Sequence, residues 1–221
     1  MNRVEIKNKA KEMIRGNKWH IWKPLICIGL CIMVIEAIAF GLDSALGLTK
    51  EVTTEMFGTK VTYTSSGIIS SIVGVFTGIA GSALTIAYAY YILSFVRGKK
   101  LELKDVLDFM KKHWVISFLV SLVVGIFIAL GFMLLVVPGI ILSVGLMFYQ
   151  EVCADNPNMR VMEIIKKSWA MTNGHKMDLF VMGLSFIGWA MLASLTLGIL
   201  YIWLMPYMVV AFTLAYEKLK K

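Results

Sequence analysis

Twenty of the 22 Lys and Arg residues lie in four short stretches that separate long apolar runs, and the gaps between alternate runs hold almost none. The basic stretches are 1–23, 97–113, 159–176 and 217–221, with seven, six, four and three Lys/Arg, whereas segment 43–66 has only Lys50 and Lys60. Cytoplasmic loops of membrane proteins retain Lys and Arg, so this spacing predicts a multi-pass chain with the four basic stretches and both termini inside. At 58% hydrophobic and 16% charged residues, the 221-residue chain has more apolar material than a soluble core of that size uses, and lipid is the expected solvent. The +8 net charge is not gathered into one stripe interleaved with aromatics, so the expected partners are anionic headgroups of the inner leaflet and not nucleic acid.

A crossing of about 30 Å takes about 20 helical residues. Six runs qualify, at 24–42, 67–96, 114–137, 138–155, 179–197 and 199–216, all within one polytopic domain covering 1–221. The 67–96 run exceeds one perpendicular crossing and is expected to tilt, break or protrude. Pro138 lacks an N–H and suits a first helical turn, so the fourth span is taken to start there, after a tight connection at Pro138-Gly139. A second tight connection is expected near Gly198, and the Thr-rich 43–66 segment permits a short hairpin around Lys60-Val61-Thr62-Tyr63. Residues 1–23 are charged and amphipathic and the first apolar run is long enough to stay in the bilayer, so no cleavable signal is expected.

Short amphipathic helices precede the first, third and fifth spans, with stripes at Val4, Ile6, Ala10, Met13 and Ile14, at Leu103, Val106, Leu107 and Met110, and at Val161, Ile164, Ile165 and Trp169. Each ends at a basic and aromatic junction: Lys18-Trp19, Lys112-His113-Trp114, and His175-Lys176 before Leu179-Phe180. The fold class predicted is all-α integral membrane, with about six spans and three cytoplasmic interfacial helices, as three helix-plus-hairpin units. Lys18, Trp19, Lys112, Trp114, His175 and Lys176 are the headgroup candidates, because cations and Trp anchor a helix at the lipid boundary.

From Pro138 onward, Pro138-Gly139, Ala154-Asp155-Asn156-Pro157, Ser168 with Met171, Gly174-His175-Lys176, Leu184-Ser185-Phe186-Ile187-Gly188-Trp189, Thr196-Leu197-Gly198 and Pro206-Tyr207 recur in the right order for a known family. The chain resembles the bacterial integral membrane proteins grouped as domain of unknown function 975, themselves similar to the membrane domain of glycerophosphodiester phosphodiesterases. The resemblance implies a bacterial plasma-membrane location and brings no reaction with it. The related phosphodiesterases keep catalysis in a soluble domain, for which this chain has no long polar segment. Asp155-Asn156-Pro157 reads as turn and cap residues, and Gly174 as the stop of the third amphipathic helix.

Two intramembrane acids stand out. Glu36 lies two-thirds through the first span, where an ionised carboxylate is costly and marks either a site or a snorkelling side chain; Glu151 lies near the inner end of the fourth, where interfacial solvation is the simpler account. Gly74 and Gly78, continued by Gly81, allow close helix packing within the chain or with a second copy. Cys27 and Cys31 share a helical face that could hold a soft metal, but without a third ligand they read as apolar filler, and no metal or cofactor is expected. His20, His113 and His175 stand at separate junctions, His175 reading as either a proton carrier or a solvated loop residue. With no GxSxG, HExxH or Walker loop, the chain is predicted to be non-catalytic, associating with anionic lipid, a membrane-protein partner or copies of itself. The alternative is a small transporter, channel or permease subunit with Glu36 in the path.

Overall fold

The computed structural model describes residues 2–16, 18–56, 59–99, 101–196 and 198–220. Among the described residues five helices are long and apolar enough to cross a membrane: Trp19–Ala45, Ile68–Val96, Leu103–Leu134, Val136–Asp155 and Lys176–Leu195. The stretch expected as a sixth span is a helix over Tyr201–Leu219, but it carries three tyrosines, Pro206 and the Glu217-Lys218 pair and is not among those five. The chain divides into two compact units, one of Leu25–Gly81 and one formed by the residues on either side.

In the larger unit, helix α1 (Arg3–Ile14) starts at Asn2, whose side-chain oxygen accepts the Glu5 N–H at 3.3 Å. Its Ile6, Ala10 and Ile14, spaced by four, are buried. This is where expectation and structure part. The stripe was expected to bed in lipid, but protein covers it, because the small Ala10 at its centre lets α1 lie against the last helix. The Lys7 ammonium reaches the Ser185 hydroxyl and sits 4.7 Å from the Phe186 ring, ten residues into its helix, and Lys11 lies 5.7 Å from the Tyr207 ring. Long stems carry these cations over apolar surface while the rings receive the charge.

The second amphipathic helix is not separate. It is the start of α4 (Leu103–Leu134), and the change from interfacial to spanning character coincides with a non-helical residue, His113, at φ −118° and ψ 18°. Asp105 accepts the Glu102 N–H at 2.8 Å and fixes the start of α4. One extended residue, Leu135, then reverses the chain into α5 (Val136–Gly145). The fourth span thus begins two residues earlier than the sequence indicated, with Pro138 inside the first turn, where no N–H is needed. The hairpin closes on glycine: a Cβ at Gly131 would stand 3.1 Å from the Gly139 Cα, and one at Gly139 would stand 2.5 Å from the Phe132 ring.

Between α5 and α6 (Tyr149–Asp155) the helix breaks at Leu146–Phe148. The third amphipathic helix, α7 (Val161–Thr172), covers that break. Thr172 and Ser168 hydroxyls donate to the Gly145 carbonyl at 3.0 and 3.4 Å, and the Trp169 ring fills the space a Gly145 side chain would need. Gly174 ends α7 at φ +79°, a left-handed conformation that glycine adopts without strain, as its position in the sequence predicted. Helices α8 (Lys176–Leu195) and α9 (Tyr201–Leu219) follow as neighbours, joined by a turn with Gly198 at φ +86°.

The smaller unit holds most of α2 (Lys18–Ala45), the first part of α3 (Ile68–Val96) and the expected hairpin, β1 (Glu51–Met56) paired antiparallel with β2 (Thr59–Thr64) in the register Glu51↔Thr64. Thr53 and Thr62 hydroxyls meet across it at 3.0 Å. Most large apolar side chains of this unit are exposed, as lipid-facing residues are. Asp43 is buried in it, and its carboxylate accepts the Ile69 and Ser70 N–H groups at 3.0 and 2.6 Å and so caps α3 from another helix.

Candidate functional site

The densest polar arrangement lies where three helices of the larger unit end. Arg97 follows the last residue of α3, Asp155 is the last residue of α6, and Tyr216, Glu217 and Lys220 occupy the end of α9 and the residue beyond it. A carboxylate at a helix C-terminus opposes the helix dipole, so Asp155 needs cations and donors around it. It has four. Arg97 donates through Nη1 at 2.6 Å and Nη2 at 2.8 Å, the Tyr216 hydroxyl at 2.8 Å and Lys220 Nζ at 2.6 Å. Arg97 turns its Nε and Nη2 to Glu217 as well, at 2.9 and 2.5 Å. Bonding to Asp155, then to Glu217, holds the guanidinium charged above its already high ordinary range. The Asp155 side chain is only 7% exposed, against 32% for Arg97, so the acid is the enclosed member. Two cations face two anions, every bond is donated to a carboxylate, and the arrangement works as a clasp and not as an acid–base pair.

One turn earlier on α6, Glu151 departs from the solvated role expected of it. Among the described residues its Oε2 is buried without a hydrogen-bond partner, and so is the Ser121 hydroxyl on α4. The difference has a packing cause: α6 is covered by α7 and touched by α4, so the C-terminal end of the fourth span is enclosed.

Beside the clasp is a cleft of about 410 Å³, within the size range of small-molecule sites. One wall is α1, with Glu5, Ile6 and Lys9; the other is the α3 end at Val96 and Arg97 and the α9 residues Leu214, Glu217 and Lys218. Lys218 Nζ bridges the walls to Glu5 Oε2 at 3.2 Å. Lys9 makes no hydrogen bond or ion pair among the described residues.

The residues singled out in the sequence are scattered. Glu36 is exposed on α2 and its Oε1 accepts the Thr77 hydroxyl of α3 at 2.7 Å. A Cβ at Gly74, Gly78 or Gly81 would meet nothing within 4 Å, so the close approach expected there is not made by described residues of the chain. The Lys18 side chain lies outside the described residues. Trp19, Lys112 and Trp114 are exposed, as headgroup contacts require, whereas Lys176 stacks 3.1 Å above the Trp169 ring centroid and His175 Nδ1 lies 3.7 Å from Asp178 Oδ2. His20 is taken by Tyr91, whose hydroxyl donates to the His20 carbonyl at 3.0 Å, and His113 packs on Phe109 at 4.8 Å. Among the described residues no three His, Cys, Asp or Glu side chains stand close enough to hold a metal ion. The clasp itself escaped the sequence reading, and its one legible sign was Asp155 within the Ala154-Asp155-Asn156-Pro157 segment.

Comparison with known proteins adds one match. The model of a family described as Protein of unknown function (DUF975) matches residues 126–221, a stretch that includes Asp155, Tyr216, Glu217 and Lys220 and leaves Arg97 outside. No curated protein matches the chain, and no solved structure does. The likeness to the membrane domain of glycerophosphodiester phosphodiesterases is not among these findings. The chain is thus similar to that family over residues 126–221, from within α4 through α9.

Proposed function

We propose that this is a non-catalytic integral membrane protein of the bacterial plasma membrane, whose basic side associates with anionic phospholipid or with a membrane partner. The observation that carries this reading is the passage from amphipathic to spanning helix in α4. Charged residues 104–112 run into an apolar span at the His113 break, and Lys112 and Trp114 on either side of it are exposed. A cation and a Trp placed so are what anchors a helix at headgroup depth, each well-placed cation adding about 1 kcal/mol of attraction to an anionic surface. The Glu5–Lys218 ion pair supports both termini lying on one side, the side the basic stretches mark as cytoplasmic. In nanodiscs made from native membrane, native mass spectrometry should find a retained anionic lipid that is lost when Lys18, Lys112 and Lys176 are all replaced by Glu. Equal retention by the variant, with correct topology, refutes the reading. A stoichiometric protein with no selective lipid makes the chain an accessory subunit.

The Glu36–Thr77 hydrogen bond, a polar pair between apolar helices, favours one second reading: a small transporter, channel or permease subunit with Glu36 in the path. Ion flux that Glu36→Gln abolishes would establish it, and flux unchanged by that substitution would dismiss it.

A further inference from the structure

The cleft between α1 and the ends of α3 and α9 carries both signs of charge in an order that selects its ligand. Resting on the reading of a lipid-associated membrane protein, we propose that this cleft binds a zwitterionic headgroup with a phosphate and a primary ammonium, that of an aminophospholipid such as phosphatidylethanolamine. Three cations and two carboxylates line it, but the cations are unequal. Arg97 is shared between Asp155 and Glu217, and Lys218 is paired with Glu5 at 3.2 Å, which leaves Lys9 as the uncommitted ammonium among the described residues.

A purely anionic headgroup entering at Lys9 meets Glu5 and Glu217 on the same cleft, and their charge opposes it. A headgroup that also carries an ammonium reverses that term. Its phosphate sits against Lys9 and Lys218 while its N–H donors turn to Glu5 and Glu217, both of which retain accessible surface, at 64% and 30% of the side chain. A primary ammonium has three such donors and a trimethylated one has none, so N-methylation should abolish the preference. The lining supplies the rest of an amphiphile's needs. Ile6, Val96 and Leu214 form the apolar part of the walls, and Ile6 and Leu214 are buried. Charged and apolar groups on the same walls, at the place where two apolar helices end, match a molecule with a polar head on an apolar body.

The test compares the purified full chain in nanodiscs containing equal parts of phosphatidylethanolamine, phosphatidylglycerol and phosphatidylcholine, read by native mass spectrometry. Counting only the lipid that Lys9→Gln releases, which leaves aside anionic lipid held at Lys18, Lys112 and Lys176, the wild type should retain phosphatidylethanolamine over the other two. Glu5→Gln should lower the ratio of phosphatidylethanolamine to phosphatidylglycerol about fivefold, the effect of about 1 kcal/mol for one well-placed charge, and Lys9→Gln should lower retention of both. Thermal unfolding of each variant in detergent checks the fold, and the wild type's discrimination against phosphatidylcholine tests the idea without any substitution. Retention of phosphatidylethanolamine and phosphatidylcholine alike overturns the assignment, as does an unchanged ratio in Glu5→Gln. Preferential retention of phosphatidylglycerol overturns it too but leaves the general lipid-binding reading standing, whereas retention of no lipid at all removes both.

Discussion

Replacing Asp155 with Ala tests the clasp most directly. The substitution removes the acceptor of four hydrogen bonds, two from Arg97 and one each from Tyr216 and Lys220. The contributions differ with burial. Tyr216 is 0% exposed, so its hydroxyl is left without an acceptor, at about 1 to 2 kcal/mol. Breaking a fully buried ion pair costs about 3 to 5 kcal/mol, but Arg97 is 32% exposed and retains Glu217, so about 1 to 2 kcal/mol is the appropriate share. Lys220, 39% exposed, adds well under 1 kcal/mol because water replaces its partner. The sum is about 3 kcal/mol. Asp155→Asn keeps an acceptor for Tyr216 and should lose about half as much. Equilibrium unfolding in mixed detergent micelles, titrated with a denaturing detergent, measures both. A cycle with Arg97→Gln should give a coupling of at least about 1 kcal/mol, since the two residues share their bonds. A loss below about 0.5 kcal/mol for Asp155→Ala, or strict additivity in the cycle, would refute the clasp as a stabilising element.

Three further outcomes follow from the packing. Asp43→Ala should remove the cap of α3 and destabilise the smaller unit by about 1 to 2 kcal/mol, seen as faster hydrogen exchange at the Ile69 and Ser70 amides; protection equal to wild type would mean the cap is idle. Gly145→Val puts a branched side chain into the space held by the Trp169 ring, so a loss of about 1 to 3 kcal/mol in detergent stability is expected, and a neutral result would show that α7 shifts freely. Gly78→Leu meets open space and should leave the unfolding of the monomeric chain within about 0.5 kcal/mol of wild type, so a change that appears only in cross-linked or oligomeric fractions would identify a second copy at that face.

Much of the architecture was legible because membrane spans are written in local terms. The first apolar run at 24–42 lies inside α2, the Thr-rich segment forms its hairpin, and Gly174 and Gly198 sit at the turns that their backbone freedom suits. What escaped were statements about distance. Arg97, Asp155 and Glu217 are separated by about sixty residues at each step, and no periodicity links them; Asp155 read as a turn residue because its neighbours Asn156 and Pro157 are turn formers. The α1 stripe was found, but periodicity tells only that a face is apolar, not whether lipid or α9 covers it. The burial of the Glu151 Oε2 is not local either, since it depends on α4 and α7 and not on its own helix.

The clasp also imposes an order on biosynthesis. Its members are made one after another: Arg97 just after α3, Asp155 at the end of α6, and Tyr216 to Lys220 at the close of α9. Until α9 has been made, Arg97 and Asp155 have only each other, and Glu217 and Lys220 join them later. A nascent chain arrested before residue 216 therefore holds two of the three helix ends unfastened from the third, and should be recognisable to quality-control proteases.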